Sequence, residues 1–114
     1  MRNDEVLLLD VLIAARRILE FVGKLDFAAF EHDEKTKSAV IREIQVIGEA
    51  SRLLSSQAKE NHSAVDWAAM AGMRNRVIHE YFNIDVDIVW DVIQNDIPAL
   101  AAHLSTLLPA SDEE

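Results

Sequence analysis

Apolar residues in the first part of the chain recur at intervals of three and four, the spacing that places them on one face of a helix. Asn3 stands before them as a candidate N-cap, and Gly23 follows as a residue type that commonly ends a helix. The pattern predicts an amphipathic helix of about five turns between these two residues. Its repeating positions are Leu8, Leu12, Ala15, Leu19 and Val22.

A second apolar repeat predicts a longer helix that is capped by Asp33 and extends to about Lys59. Gly48 lies inside it, where glycine costs about 1 kcal/mol relative to alanine, so we expect another backbone to approach closely there. The repeat and Gly48 would also suit contact with a second copy of the chain. Residues 25–30, between the two helices, predict one helical turn. The repeat is a seam suited to helix packing, formed by Val40, Ile44, Ile47, Ser51 and Leu54.

Two further helices are predicted in the second half of the chain. Asp66 can cap the third, and Gly72 allows a kink within it. A turn and a new N-cap at residues 83–85 precede the last helix, which Pro98 should kink or restart after Asp96. The apolar positions are Trp67, Met70, Val77 and Tyr81 in the third helix, and Val86, Val89, Trp90, Ile93, Ile97, Leu100, Leu104 and Leu107 in the last.

This succession of helices indicates an all-α fold. The 114 residues include three glycines, two prolines and no cysteine, so long loops and disulfides are not expected. Four main helices with short connections favour an up-and-down helical bundle of four to five helices. We expect a single domain over residues 1–108 and an acidic tail at residues 109–114.

The net charge of −9 is unevenly distributed. Residues 1–76 contain all 11 basic side chains and 12 acidic ones, whereas residues 77–114 contain no basic and eight acidic side chains. A general nucleic-acid binder is usually basic, so a polyanion would have to meet a local basic pocket. Acids close to the N-terminus argue against a signal peptide, and Asp10 interrupts an apolar run too early for a membrane span. We therefore expect a cytoplasmic protein.

Chemically active side chains are concentrated in residues 73–81, which read Met-Arg-Asn-Arg-Val-Ile-His-Glu-Tyr. Histidine can accept or donate a proton near neutral pH, and arginine binds phosphate and stabilises negative charge in a transition state. Cleaving RNA by its own 2′-hydroxyl needs a base, an acid and a cation, and no metal. The structural alternative is a helix whose arginines pair with acids and whose histidine caps a neighbouring chain end.

A metal site has weaker support. Asp87 and Asp91 are four residues apart, but no histidine stands at a matching position. A stripe of acids on a helix is usually a solvated face, so we expect neither a metal nor a cofactor.

On a continuous helix, Asn75 and His79 would share one face, whereas Arg74 and His79 would lie about 140° apart. A single helix therefore does not bring this arginine and this histidine together. We expect a site formed between two copies of the helix, where a twofold axis would supply both histidines.

Residues 74–81 resemble the Arg-x-x-x-x-His-x-Tyr signature of HepT-like toxins in the HEPN superfamily. A lone Arg-x-x-x-x-His is weak evidence, but further pieces agree in order and spacing across roughly residues 4–107, and that ordered set is fairly specific. The pieces are Ala39-Val40-Ile41-Arg42, Ile47-Gly48-Glu49-Ala50, Trp67 six residues before Met73-Arg74-Asn75, Tyr81-Phe82-Asn83-Ile84-Asp85, and Trp90 followed by Asp96-Ile97-Pro98.

The resemblance implies a helical-bundle homodimer, or a higher oligomer, with a composite site at the subunit interface. Similar proteins are metal-independent endoribonucleases that cleave messenger RNA or transfer RNA. Arg74 and His79 would be the catalytic pair, Asn75 the polar residue that follows the arginine, and Arg76 a further phosphate contact.

The resemblance also implies a type VII toxin–antitoxin pair. The companion antitoxin is an MNT-type nucleotidyltransferase, which transfers AMP from ATP to the motif tyrosine, here Tyr81. A bulky anion there would occupy the pocket that RNA phosphate needs and would pair with Arg74. Two alternatives remain open: a non-catalytic HEPN adaptor that binds nucleotides or a protein partner, and a purely structural bundle with His79 buried inside one chain.

Overall fold

The computed structural model describes residues 3–78 and 83–107. Within these ranges the chain is largely helical, which confirms the predicted all-α fold, and no described helix is long and apolar enough to cross a membrane. The helices are α1 Asp4–Val22, α2 Phe27–His32, α3 Glu34–Leu53, α4 Ser56–Asn61, α5 Trp67–Val77, α6 Val86–Asp91 and α7 Ile97–Ser105, with a π-helical turn at Val92–Asp96 between α6 and α7.

The long helices pack as a ring that follows chain order. Helix α1 contacts α3 and α7, α3 contacts α5, and α5 contacts α6. The start of α1 lies beside the end of α3, because Asp4 accepts hydrogen bonds from Ser55, so these two helices run in opposite directions. This arrangement is the predicted up-and-down bundle. The largest fully buried side chains at its centre are those of Phe30, Leu12, Ile18, Ile44, Ile47, Met73, Ile93, Ile97 and Leu104.

Side-chain caps fix the predicted starts of four helices. Asn3, Asp33, Asp66 and Asp85 each accept a hydrogen bond from the backbone amide three residues later. Each bond satisfies an amide that the first turn of a helix leaves unpaired. Gly23 ends α1 at a φ of 53°, a conformation that glycine adopts without steric cost.

The predicted extension of the second long helix to Lys59 is wrong. Helix α3 ends at Leu53, Leu54 is extended, and α4 begins with Ser55 as its N-cap. Asp4 accepts hydrogen bonds from the Ser55 amide at 3.0 Å and from the Ser55 hydroxyl at 2.6 Å. These contacts join residues 51 positions apart, so no local pattern predicts the break that they stabilise.

The apolar seam of α3 is buried inside the chain, so the suggestion that it forms a dimer contact is wrong. A Cβ atom added at Gly48 would lie 3.4 Å from the carbonyl oxygen of Ala71 and 3.5 Å from that of Met70. The expected close approach of a backbone is therefore confirmed, but the partner is α5 of the same chain. The seam positions Val40, Ile44, Ile47 and Ser51 have no exposed surface, and Leu54 is also buried.

The last helical segment changes its hydrogen-bond spacing before Pro98. The Ile97 amide donates to the Val92 carbonyl, the five-residue step of a π turn, and α7 then starts with Pro98 in its first turn. Proline has no amide hydrogen and clashes with a regular helix before it. The predicted restart after Asp96 is confirmed, although Leu107 at the far end is exposed and does not extend the core.

Aromatic contacts close one end of the bundle. The ring of Trp90 in α6 lies 5.8 Å from that of Phe27 and 5.3 Å from that of Phe30, both in α2. Because α2 connects the end of α1 to the start of α3, this end also holds those two termini. We call it the α2 end of the bundle.

Candidate active site

The last turn of α5 presents two arginines and an asparagine to solvent. Met73 and Val77 are fully buried and, being four residues apart, lie on one face of the helix. The residues between them, Arg74, Asn75 and Arg76, are all exposed. The polar groups therefore stand on a turn that its apolar neighbours hold against the core.

Helix α5 ends at Val77, so the predicted continuous helix through residues 73–82 is wrong. Ile78 is extended and forms an antiparallel bridge with Ile84. The Asp85 amide also donates to the Val77 carbonyl at 2.8 Å. β-Branched residues favour extended backbone, and the pairing of residues 77–78 with residues 84–85 supplies hydrogen bonds in place of a further helical turn.

The bridge holds the two flanks of residues 79–83 side by side. His79, the predicted catalytic partner of Arg74, and Tyr81, the predicted AMP acceptor, lie outside the described residues. Asn75 and His79 were expected to share a helix face only if the helix continued through residue 79. Because α5 ends at Val77, helix geometry no longer supports that expectation. His79 follows Val77, the last residue of α5, by only two positions along the chain.

Arg74 and Asn75 form the polar pair of the described site. Arg74 Nη1 donates to Asn75 Oδ1 at 3.4 Å, a long and weak hydrogen bond. Within residues 3–78 and 83–107, the Arg74 guanidinium pairs with no carboxylate, whereas Arg42 and Arg52 form ion pairs at 2.9 and 2.6 Å. No carboxylate in these ranges therefore competes with a phosphate for the guanidinium donors of Arg74.

Arg76 is partly engaged by the π turn. Its Nη1 lies 3.7 Å from Asp96 Oδ2, and both side chains keep substantial exposure. An exposed ion pair at this distance is weak, so a phosphate could compete with Asp96 for Arg76. No spacing along the chain predicts this contact, because the two residues are brought together only by packing between elements.

Two of the described histidines form a pair of their own. His62 Nδ1 lies 3.4 Å from His103 Nε2, beside α4 and the end of α7, and His62 is half-buried rather than a fully solvated loop residue. In the described ranges no group of three or more His, Cys, Asp or Glu residues could hold a metal, and Asp87 and Asp91 are exposed. The described part of the site thus offers positive charge and an amide, groups that bind phosphate and stabilise negative charge.

Comparison with known proteins assigns the family. A family model described as "Ribonuclease HepT-like" matches residues 11–107. The chain belongs to this family. "Probable ribonuclease HepT" from Thermococcus cleftensis is 38% identical over 93% of this chain and 96% of its own length. A "Putative RNase" from Methanocaldococcus jannaschii is 35% identical over 87% and 91%, and another from Caldanaerobacter subterraneus subsp. tengcongensis is 33% identical over 95% and 96%. No solved structure matches the chain.

Membership of the HepT-like family confirms the resemblance that residues 74–81 indicate. The match includes the last turn of α5 and the bridge that follows it. The individual roles of Arg74, Asn75, Arg76, His79 and Tyr81 remain predictions about this chain.

Proposed function

We propose that this chain is a metal-independent endoribonuclease, the toxin of a cytoplasmic toxin–antitoxin pair, and that it works as a homodimer. The main structural support is Arg74, whose exposed guanidinium has no carboxylate partner among the described residues. Buried Met73 and Val77 anchor the turn that carries it. The family and the printed names of the relatives, which describe ribonucleases, suggest RNA as the substrate.

In the proposed reaction, the 2′-hydroxyl of RNA attacks the adjacent phosphorus. A base takes the hydroxyl proton as the new oxygen–phosphorus bond forms, and an acid gives a proton to the 5′-oxygen as its bond to phosphorus breaks. The products are a cyclic phosphate and a free 5′-hydroxyl. We assign the proton transfers to the His79 side chains of two subunits, the stabilisation of the added negative charge to Arg74, and the orientation of the phosphate to Asn75 and Arg76.

Substitution of the two proposed catalytic residues tests this function. We expect Arg74→Ala to lower kcat for an RNA substrate in EDTA by about 10²–10³-fold, the usual effect of losing one group that stabilises transition-state charge. His79→Ala should lower it by about 10²–10⁴-fold, as expected for an acid or base. Arg52→Ala is the matched control, because Arg52 is also an exposed arginine in the last turn of a helix, and it should retain activity.

Two outcomes would count against the ribonuclease. One is cleavage that depends on a divalent metal, and the other is cleavage that survives both substitutions. Binding of RNA or nucleotide without cleavage at any protein concentration would favour the non-catalytic adaptor.

We further propose that an MNT-type nucleotidyltransferase neutralises the toxin by transferring AMP to Tyr81. The phenolic oxygen would attack the α-phosphorus of ATP, pyrophosphate would leave, and the phenolic proton would pass to a base or to water. The new phosphodiester is an anion for which Arg74 is an available cation. Intact-mass measurement after co-expression should detect added AMP on the wild-type chain and none on Tyr81→Phe, and an unmodified wild-type chain would reject the modification without rejecting the nuclease.

A further inference from the structure

A buried carboxylate on α3 contacts two arginines, one from α1 and one from α3 itself. Glu43 is 4% exposed, and its Oε2 atom lies 2.9 Å from Arg42 Nη1 and 3.7 Å from Arg17 Nη1. Arg17 comes from α1 and Arg42 from α3. A buried carboxylate is costly unless it is paired and hydrogen-bonded, so Glu43 holds both guanidinium groups close to one oxygen atom.

The two arginines have capacity beyond the neutralisation of Glu43. Their side chains remain 53% and 68% exposed, while that of Glu43 is 5% exposed. Each guanidinium carries five N–H donors in a planar fork, and the contacts with Glu43 use one nitrogen of each. Glu43 neutralises one of these two positive charges. Asp10 and Glu49 also line the groove beside Arg42, and Glu49 is itself paired with Arg52.

The cluster lies in the same half of the bundle as Arg74. Arg17 is in the second half of α1 and Arg42 in the first half of α3, both towards the α2 end. Arg74 is in the last turn of α5, which leads through the Ile78–Ile84 bridge to α6, and α6 packs on α2 through Trp90. The up-and-down topology therefore places basic residues from three helices in one half of the molecule, which also carries acidic residues at the α2 end.

We propose that Arg17 and Arg42, positioned by Glu43, bind a backbone phosphate of the RNA strand at a distance from the bond that is cleaved. This inference rests on the proposed function, because it adds a second contact for the same substrate. An acidic protein needs localised contacts of this kind, since its overall charge repels RNA. A planar, rigid guanidinium is suited to a phosphate by two parallel hydrogen bonds.

The salt dependence of RNA binding tests the proposal. We would measure the affinity for a single-stranded oligoribonucleotide at several salt concentrations, in a His79→Ala background that blocks cleavage. Each lost phosphate contact lowers the slope of log affinity against log salt by about 0.7 for a single strand. Because both arginines contact the same phosphate, Arg17→Gln/Arg42→Gln should lower the slope by about 0.7, whereas Arg52→Gln should leave it unchanged.

A kinetic readout separates binding from chemistry. In the active protein, Arg17→Gln/Arg42→Gln should raise KM and leave kcat unchanged, because the contact is made equally in the ground and transition states. If the double variant does not fold because Glu43 loses its partners, the triple variant that adds Glu43→Gln removes the unpaired charge and allows the same measurements.

The outcomes distinguish this contact from the nuclease itself. An unchanged slope and KM in a folded variant would overturn the phosphate contact and make the cluster a structural ion pair only, with the nuclease unaffected. A reduced slope together with a parent protein that never cleaves RNA would overturn the nuclease and leave the phosphate contact standing.

Discussion

At the scale of single residues, the carboxylate of Asp4 joins the start of α1 to the start of α4. Hydrogen bonds from the hydroxyl and the amide of Ser55 hold the pKa of Asp4 below its ordinary value of 3.8. This pKa is lower in the folded chain than in the unfolded chain. The contact therefore stabilises the fold at pH values above the pKa that Asp4 has in the unfolded chain. That stabilisation is lost as the pH falls through the folded pKa.

We therefore expect Asp4→Asn to lower the melting temperature near pH 7, and we expect the difference from wild type to disappear well below pH 4, where Asp4 is protonated. Thermal unfolding followed by circular dichroism across this pH range measures the effect. Glu20→Gln removes an exposed acid from the same helix and controls for net charge. A difference that does not change with pH would show that the Asp4 charge is not responsible.

Residue-level predictions succeeded where the physical cause is local. Asn3, Asp33 and Asp66 could be predicted as caps because the amide that each one satisfies lies three residues along the chain. Ser55 could not, because the start of its helix depends on hydrogen bonds to Asp4, which lies 51 positions earlier in the chain. The contact between Asp96 and Arg76 could not be predicted either, because the two residues belong to different helical segments.

At the scale of helices, α3 and α5 pack closely at Gly48. We expect Gly48→Leu to lower the free energy of unfolding by about 1–3 kcal/mol, because its side chain would overpack against the α5 backbone. Gly48→Ala should be close to neutral, since its Cβ would lie 3.4 Å from the nearest carbonyl oxygen. At Gly72 an added Cβ meets nothing within 4 Å, so Gly72→Ala should stabilise the protein by up to about 1 kcal/mol.

Urea unfolding measures all three glycine variants on one scale. Gly72→Ala serves as the matched control, because it makes the same kind of change in a helix without the backbone contact. Equal stability of Gly48→Leu and wild type would contradict the close approach of α3 and α5.

The same helices show where apolar periodicity stops being informative. Met70 and Val77 fit a helix, and so would a continuation through Tyr81. What ends α5 is the pairing of Ile78 with Ile84, and a pattern read along one segment does not contain its partner. The sequence therefore placed Arg74 and Asn75 correctly on the third helix, but it predicted a helix beyond Val77, where Ile78 is extended.

At the scale of the whole molecule, the proposed reaction needs two subunits. The described residues of one chain place Arg74 and Asn75 on the surface, while the described histidines lie elsewhere, in α2, beside α4 and in α7. Because the α3 seam is already buried, the dimer contact that we propose must use another surface. A site on a twofold axis would use the same residues from both chains.

Mixing active and inactive chains tests this shared site. If one site uses both His79 side chains, a fourfold excess of His79→Ala chains leaves about one wild-type chain in five with a wild-type partner, assuming random pairing in a symmetric dimer. Activity per wild-type chain should then fall about fivefold on the same basis. Native mass spectrometry confirms that the chains have exchanged, and an equal excess of His79→Ala added without time for exchange is the control. Unchanged activity after complete exchange would mean that each chain carries its own site, because an inactive partner could then remove nothing from it.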